Sequence, residues 1–137
     1  MKHWMTVLIV SLGLAVMGWS PLWASTADNV REATELAAHD YMQHGLIQAS
    51  EGLNESAINS FQKAVALTPQ SAEAHSLLGS ALARAGKFKE AEEELRKAVT
   101  LKPDYAEGYY YLGLLLEELG RTGEAQEAFR KAKQYQR

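Results

Sequence analysis

Cysteine is absent from this chain of 137 residues. Disulfides, thiolate metal ligands and a cysteine nucleophile are therefore all excluded. Proline is scarce as well, at Pro21, Pro69 and Pro103 only, so long stretches run without a residue that forbids helix. A basic excess is missing: 14 lysines and arginines stand against 17 acidic residues, for a net charge of -3. Nothing here clusters into the cationic face that phosphate backbones require, so no nucleic-acid partner is expected.

Catalytic signatures are missing too. The chain has no glycine-rich phosphate loop, nucleophile elbow or zinc-protease motif. His39 and His44 are five residues apart, about 140° around a helix, so they cannot ligate as an i,i+4 pair. Adjacent carboxylates such as Glu117 and Glu118 point to different faces of a helix. No enzyme, cofactor or metal site is expected.

A long hydrophobic run occurs once. Lys2 and His3 precede an apolar stretch from Trp4 to Met17, followed by the breakers Gly18, Ser20 and Pro21 and then by small residues. That order is the order of a secretory signal peptide over residues 1–24, with cleavage as late as Ala27, where Ser25-Thr26-Ala27 fits the small-x-small rule. The expected location is periplasmic or secreted. The alternative is an uncleaved N-terminal anchor facing out of the cytoplasm, since Trp4 to Ala24 is about the length that spans a bilayer. Tryptophans at Trp4, Trp19 and Trp23 suit its interfaces. No cysteine lies near the cleavage region, so lipid attachment there is excluded.

What is abundant is repetition. The stretch Ala72 to Tyr105 reads AEAHSLLGSALARAGKFKEAEEELRKAVTLKPDY, and a slide of 34 residues either way superposes its marked positions. Gly79 meets Gly45 and Gly113; Gly86 meets Gly52 and Gly120; Ala91 meets Ala57 and Ala125; Ala98 meets Ala64 and Ala132. Leu95 falls on Phe61 and Phe129, and Pro103 on Pro69. Within each copy the apolar residues recur at helical spacing on both sides of a glycine.

The pattern predicts six helices. The first runs from about Val30, capped by Asp28 or Asn29, to Ser50. Glu55 to Leu67 follows with Asn54 as cap, then Ser71 to about Ala85, Phe88 to Leu101, a helix capped by Asp104, and one capped by Thr122. Gly45, Gly79 and Gly113 fall in helix interiors, where glycine costs about 1 kcal/mol relative to alanine. Such a cost at one fixed spacing implies close backbones, with Ala57, Ala91 and Ala125 as the small residues opposite. The acidic run Glu90, Glu92, Glu93, Glu94 reads as a solvated face, with Glu92–Arg96 and Glu93–Lys97 as i,i+4 pairs. His75 shares its place with Tyr41 and Tyr109 and reads as a packing residue.

A unit of this length, with aromatic-x-x-Leu-Gly, then Ala-x-x-x-Phe, then Ala and Pro, resembles the tetratricopeptide repeat. Behind a lead-in at residues 25–37, the units are 38–71, 72–105 and 106–137. Three departures stand out: His44 and Gln48 are polar at apolar places, Thr122 replaces an aromatic, and the third unit has no closing proline. The resemblance implies an all-α solenoid of three helix-turn-helix units wound into a right-handed superhelix. It further implies a non-catalytic scaffold that binds a peptide or partner helix in a concave channel.

Carried over by position, that channel would be lined by His39, Met42, Leu46, Ala49 and Ser50 in the first unit. Glu73, Ser76, Ser80, Ala83 and Arg84 follow in the second, and Glu107, Tyr110, Leu114, Glu117 and Glu118 in the third. The family's clamp for C-terminal carboxylates needs several lysine, asparagine and arginine residues, of which only Arg84 is present. The expected ligand is a peptide of apolar and partly basic character. An alternative role is that of an assembly subunit that stacks end to end, a homo-oligomer made through its terminal helices.

Overall fold

The computed structural model describes residues 22–136, and among them every regular element is an α-helix. These are α1 (Leu22–Ser50), α2 (Asn54–Leu67), α3 (Ala72–Arg84), α4 (Phe88–Leu101), α5 (Ala106–Glu118) and α6 (Thr122–Tyr135). By contacts the chain divides into Met1–Ala33 and Thr34–Arg137. In the first unit, residues 25–33 are exposed helix, with Arg31 beside Asp28 at 3.7 Å. The apolar run read as an export leader lies outside the described residues. No helix among those described is long and apolar enough to cross a membrane.

The second unit is an α-solenoid. Helices α3 and α4 form one hairpin and α5 and α6 another, while α2 packs on α3, α4 on α5, and α3 on α5. One core runs through the stack, from Ile58 and Phe61 through Leu78, Leu82 and Leu95 to Leu112 and Leu116. Phe61, Leu95 and Leu116 are the largest fully buried apolar side chains. Each contributes roughly 1.5–3 kcal/mol by leaving water.

The turns repeat as faithfully as the core. Gly52, Gly86 and Gly120 all adopt a left-handed backbone, with φ of 78°, 78° and 73°. After each of them an amide reaches back five residues to a carbonyl: Leu53 N–H to Gln48, Lys87 N–H to Leu82, and Arg121 N–H to Leu116. This closes the helix carbonyls that would otherwise lack partners, and glycine permits it at little steric cost.

The mid-helix glycines do mark close approach, but the partner differs from the expected alanine. A Cβ on Gly45 would stand 2.5 Å from the Phe61 ring, and one on Gly113 would stand 2.6 Å from the Phe129 ring. On Gly79 it would meet Leu95 Cγ at 2.6 Å and the Ala91 carbonyl at 3.1 Å. The glycines make room for the bulky residue at the middle of the second helix; Ala57, Ala91 and Ala125 are buried beside it.

Capping is the other correction. Ser71 does cap α3, its oxygen accepting from Ala74 N–H at 3.1 Å. Asp28 and Asn29 lie inside α1, because that helix begins earlier than the polar pair suggests. Leu53, Tyr105 and Arg121 hold the cap positions of α2, α5 and α6 without side-chain bonds, displacing Asn54, Asp104 and Thr122 from that role. The preceding glycine turn sets the starts of α2 and α6. Leu53 and Arg121 are the same residues whose amides close the helix before.

Candidate functional site

The first helices of the second and third hairpins, with the start of α4, enclose an open cavity of about 410 Å³. Its lining is apolar at Phe88, Tyr111, Leu114 and Leu115, and polar at Ser80, Arg84 and Glu118. Leu114 is 42% exposed, although it follows immediately on core residues of α5. Phe88 owes its place to the Gly86 turn, which brings the start of α4 beside the end of α3.

Of the residues expected in the channel, Ser80, Ala83, Arg84, Leu114 and Glu118 line this cavity together. Leu46, Glu117 and His39 are exposed, and His39 Nε2 lies 3.5 Å from Gln43 Nε2 on its own helix. Two others are not on the surface. Met42 is only 6% exposed and Ser76 is fully buried. Met42 packs with Ala64 and Ala74, because α3 covers its position; Ser76 holds the same place in the next unit, under α5. The equivalent Tyr110 has no such cover, is 50% exposed, and lines a separate cavity with Ala132 and Tyr135. One repeat position is thus core in two units and surface in the third.

Arg84 carries a structural bond as well. Its Nη2 donates to the carbonyl of Ala49 at 3.1 Å, joining α3 to the end of α1. That bond takes one of the five guanidinium N–H donors and fixes where the side chain sits. Glu118 on the rim and Glu117 beside it make the neighbouring surface acidic.

Tyr111 and Phe88 were not reached by position transfer. Tyr111 follows Tyr110, which was, and Phe88 is the aromatic at the place that Thr122 fills in the third unit; their aromatic character is the signal the sequence offered. Burial pushes the Tyr111 phenol up from its ordinary value, and the nearby Glu107 carboxylate and Tyr110 push it further. The hydroxyl therefore stays protonated at neutral pH, with an O–H that can donate.

A model of the tetratricopeptide repeat matches residues 42–106 and 84–136. The second tetratricopeptide domain of Spaghetti (RPAP3), solved bound to the HSP90 peptide SRMEEVD, is similar to this chain at 21% identity. It covers 79% of this chain and 99% of its own, with a TM-score of 0.72. MamA is similar at 32% identity, over 80% of this chain and 64% of its own, with a TM-score of 0.66. The TPR2B domain of yeast Sti1, solved with an Hsp70 peptide, is similar at 19% identity, over 73% and 80%, with a TM-score of 0.69. No curated protein sequence matches.

Proposed function

We propose, from the premise that this chain belongs to the tetratricopeptide repeat family, that it is a protein-interaction scaffold that works by binding and catalyses no reaction. Its ligand is an extended segment or helix of a partner protein, held along the cavity between α3, α4 and α5. The observation that carries this reading is the exposed Leu114 set among Phe88 and Tyr111, with acidic residues at the rim. An apolar ligand side chain fits against Phe88, Tyr111 and Leu114, and a following lysine or arginine meets Glu117 and Glu118.

The acidic peptide in the Spaghetti structure is a poor guide to the ligand here. An acidic tail would face Glu117 and Glu118 with only Arg84 among the expected channel residues to answer it, and one Arg84 donor is already given to Ala49. A peptide array scanned with the purified chain tests the reading. Apolar sequences with flanking basic residues should be retained, and Leu114→Asp should abolish retention. Equal capture of acidic tails would refute it.

Export to the cell envelope belongs to the same proposal and is supported by the leader pattern of residues 1–24. Mass measurement of the protein recovered from the envelope distinguishes cleavage near Ala24 or Ala27 from an uncleaved anchor.

A further inference from the structure

The junctions between repeats share one construction. At the first, Ala74 of α3 packs with Met42, Ala64 and the half-buried Val65. At the second, Gly108 of α5 lies so near Val99 that an added Cβ would stand 3.1 Å from its Cγ1. A slide of 34 residues carries the same seat onto α5 and α6. There Tyr110 takes the place of Met42 and Ser76, Ala132 that of Ala64 and Ala98, and Lys133 that of Val65 and Val99. This third seat is open: a cavity of about 380 Å³ lies between Tyr110, Ala132 and Tyr135.

One residue of the open seat has changed its chemistry. Where the occupied seats present valine, this one presents Lys133, exposed and without an ion pair among the described residues. An occupant repeating the internal junctions would set its counterpart of Ala74 and Gly108 against that ammonium. At the other end of the solenoid, the counterpart is Asp40 of α1, likewise exposed and unpaired among the described residues. Tyr105, whose ring crowds Gly108, corresponds to Ala37 in α1, which leaves room for a carboxylate. Ile47 corresponds to the buried Ala81 and Leu115, yet it is 56% exposed.

We infer that the occupant is a second copy of this chain. Its α1 lies on the α5–α6 seat of the first copy, with Asp40 against Lys133 and Ile47 turned into the contact as Ala81 and Leu115 are. The two ends are different surfaces, so the contact is heterologous and leaves a free end on each side; copies add head to tail rather than closing as a pair. His44 takes the place of the buried Leu78 and Leu112. A polar ring there makes this junction weaker than the internal ones, so assembly depends on concentration. The inference does not rest on the channel reading, since Asp40 and Lys133 do not line that cavity.

The absence of cysteine makes a direct test possible. Full-length Asp40→Cys and Lys133→Cys chains are purified separately, then mixed under mild oxidation. Disulfide-linked dimers should form in the mixture and not with either variant alone. Linkage of either variant to itself at the level of the mixture, or no linkage up to the solubility limit, would overturn the proposal. In sedimentation, Asp40→Lys or Lys133→Asp should each weaken association at least about tenfold, since like charges then face each other. The double reversal in one chain should restore it. Because both positions are exposed, helicity should be unchanged; single reversals that leave association intact would also refute the inference.

Discussion

His75 Nδ1 lies 2.5 Å from Glu94 Oε2, and the other ring nitrogen lies 2.8 Å from the carbonyl of Pro69. A fully buried imidazole thereby joins α3 to the middle of α4 and to the turn before α3. The repeat shows why the pair exists. His75 stands where Tyr41 and Tyr109 stand, and Glu94 stands where Ser60 and Ala128 stand. Two units combine a large ring with a small partner; the middle one combines a smaller, polar ring with a long carboxylate that reaches it.

Removal of one partner should therefore hurt more than substitution by a group that still bonds. Glu94→Ala leaves a buried ring nitrogen without its partner and should cost about 1–3 kcal/mol. Glu94→Gln keeps a group able to bond Nδ1 and should retain most of the stability. Urea unfolding followed by circular dichroism separates the two.

The pair also marks how far the sequence could be read. Repeat register gave the helices, the turns and the core, because each position was sampled three times and noise averaged out. It failed where one copy departs from the others. By sequence Glu94 reads as part of a solvated acidic run, yet its equivalents Ser60 and Ala128 are small, and that contrast is the clue to its buried partner. Met42, Ser76 and Tyr110 show the converse. They share one position, but exposure depends on whether another helix follows, which local pattern does not encode.

Glycine replacements should have opposite signs at two sites. Gly79→Ala drives a Cβ against Leu95 Cγ and the Ala91 carbonyl, and neither can retreat as a flexible side-chain end would. Overpacking of this kind costs about 1–3 kcal/mol, more than the roughly 1 kcal/mol gained in helix propensity. Gly123→Ala meets nothing within 4 Å in the first turn of α6 and should stabilise. Thermal melts of the two variants should move in opposite directions.

Acid should loosen the joint between the second and third units. Glu92 accepts from Arg96 at 2.7 Å and from Arg121 at 2.9 Å. Burial alone would raise its carboxyl, but the bonds from Arg96 and Arg121 outweigh that and hold it below the ordinary 4.5. Because the folded-state value is depressed, the contribution is complete above the ordinary value and is lost as pH falls through the folded one. Glu92→Gln should thus lower stability at neutral pH by less than about 1 kcal/mol, given the partial exposure. It should also flatten the decline below 4.5. Melts from neutral to strongly acidic pH would reveal this, and high salt should shrink the difference.

The two serines and the leucine of α3 and α5 that position transfer assigned to one channel should now part company. Ser76 Oγ is buried with no hydrogen-bond partner, so Ser76→Ala removes an unsatisfied hydroxyl and should leave stability unchanged or raise it by about 1 kcal/mol. It should not alter peptide capture, because α5 covers that position. Ser80 and Leu114 line the cavity itself. Leu114→Asp should abolish capture of apolar peptides while lowering the melt only modestly, since that side chain is already 42% exposed. Ser80→Trp should block capture by filling the space beside Tyr111. If Ser76→Ala lowered affinity as much as Leu114→Asp did, the ligand would have to reach beneath α5, and the exposed cavity would not be where it binds.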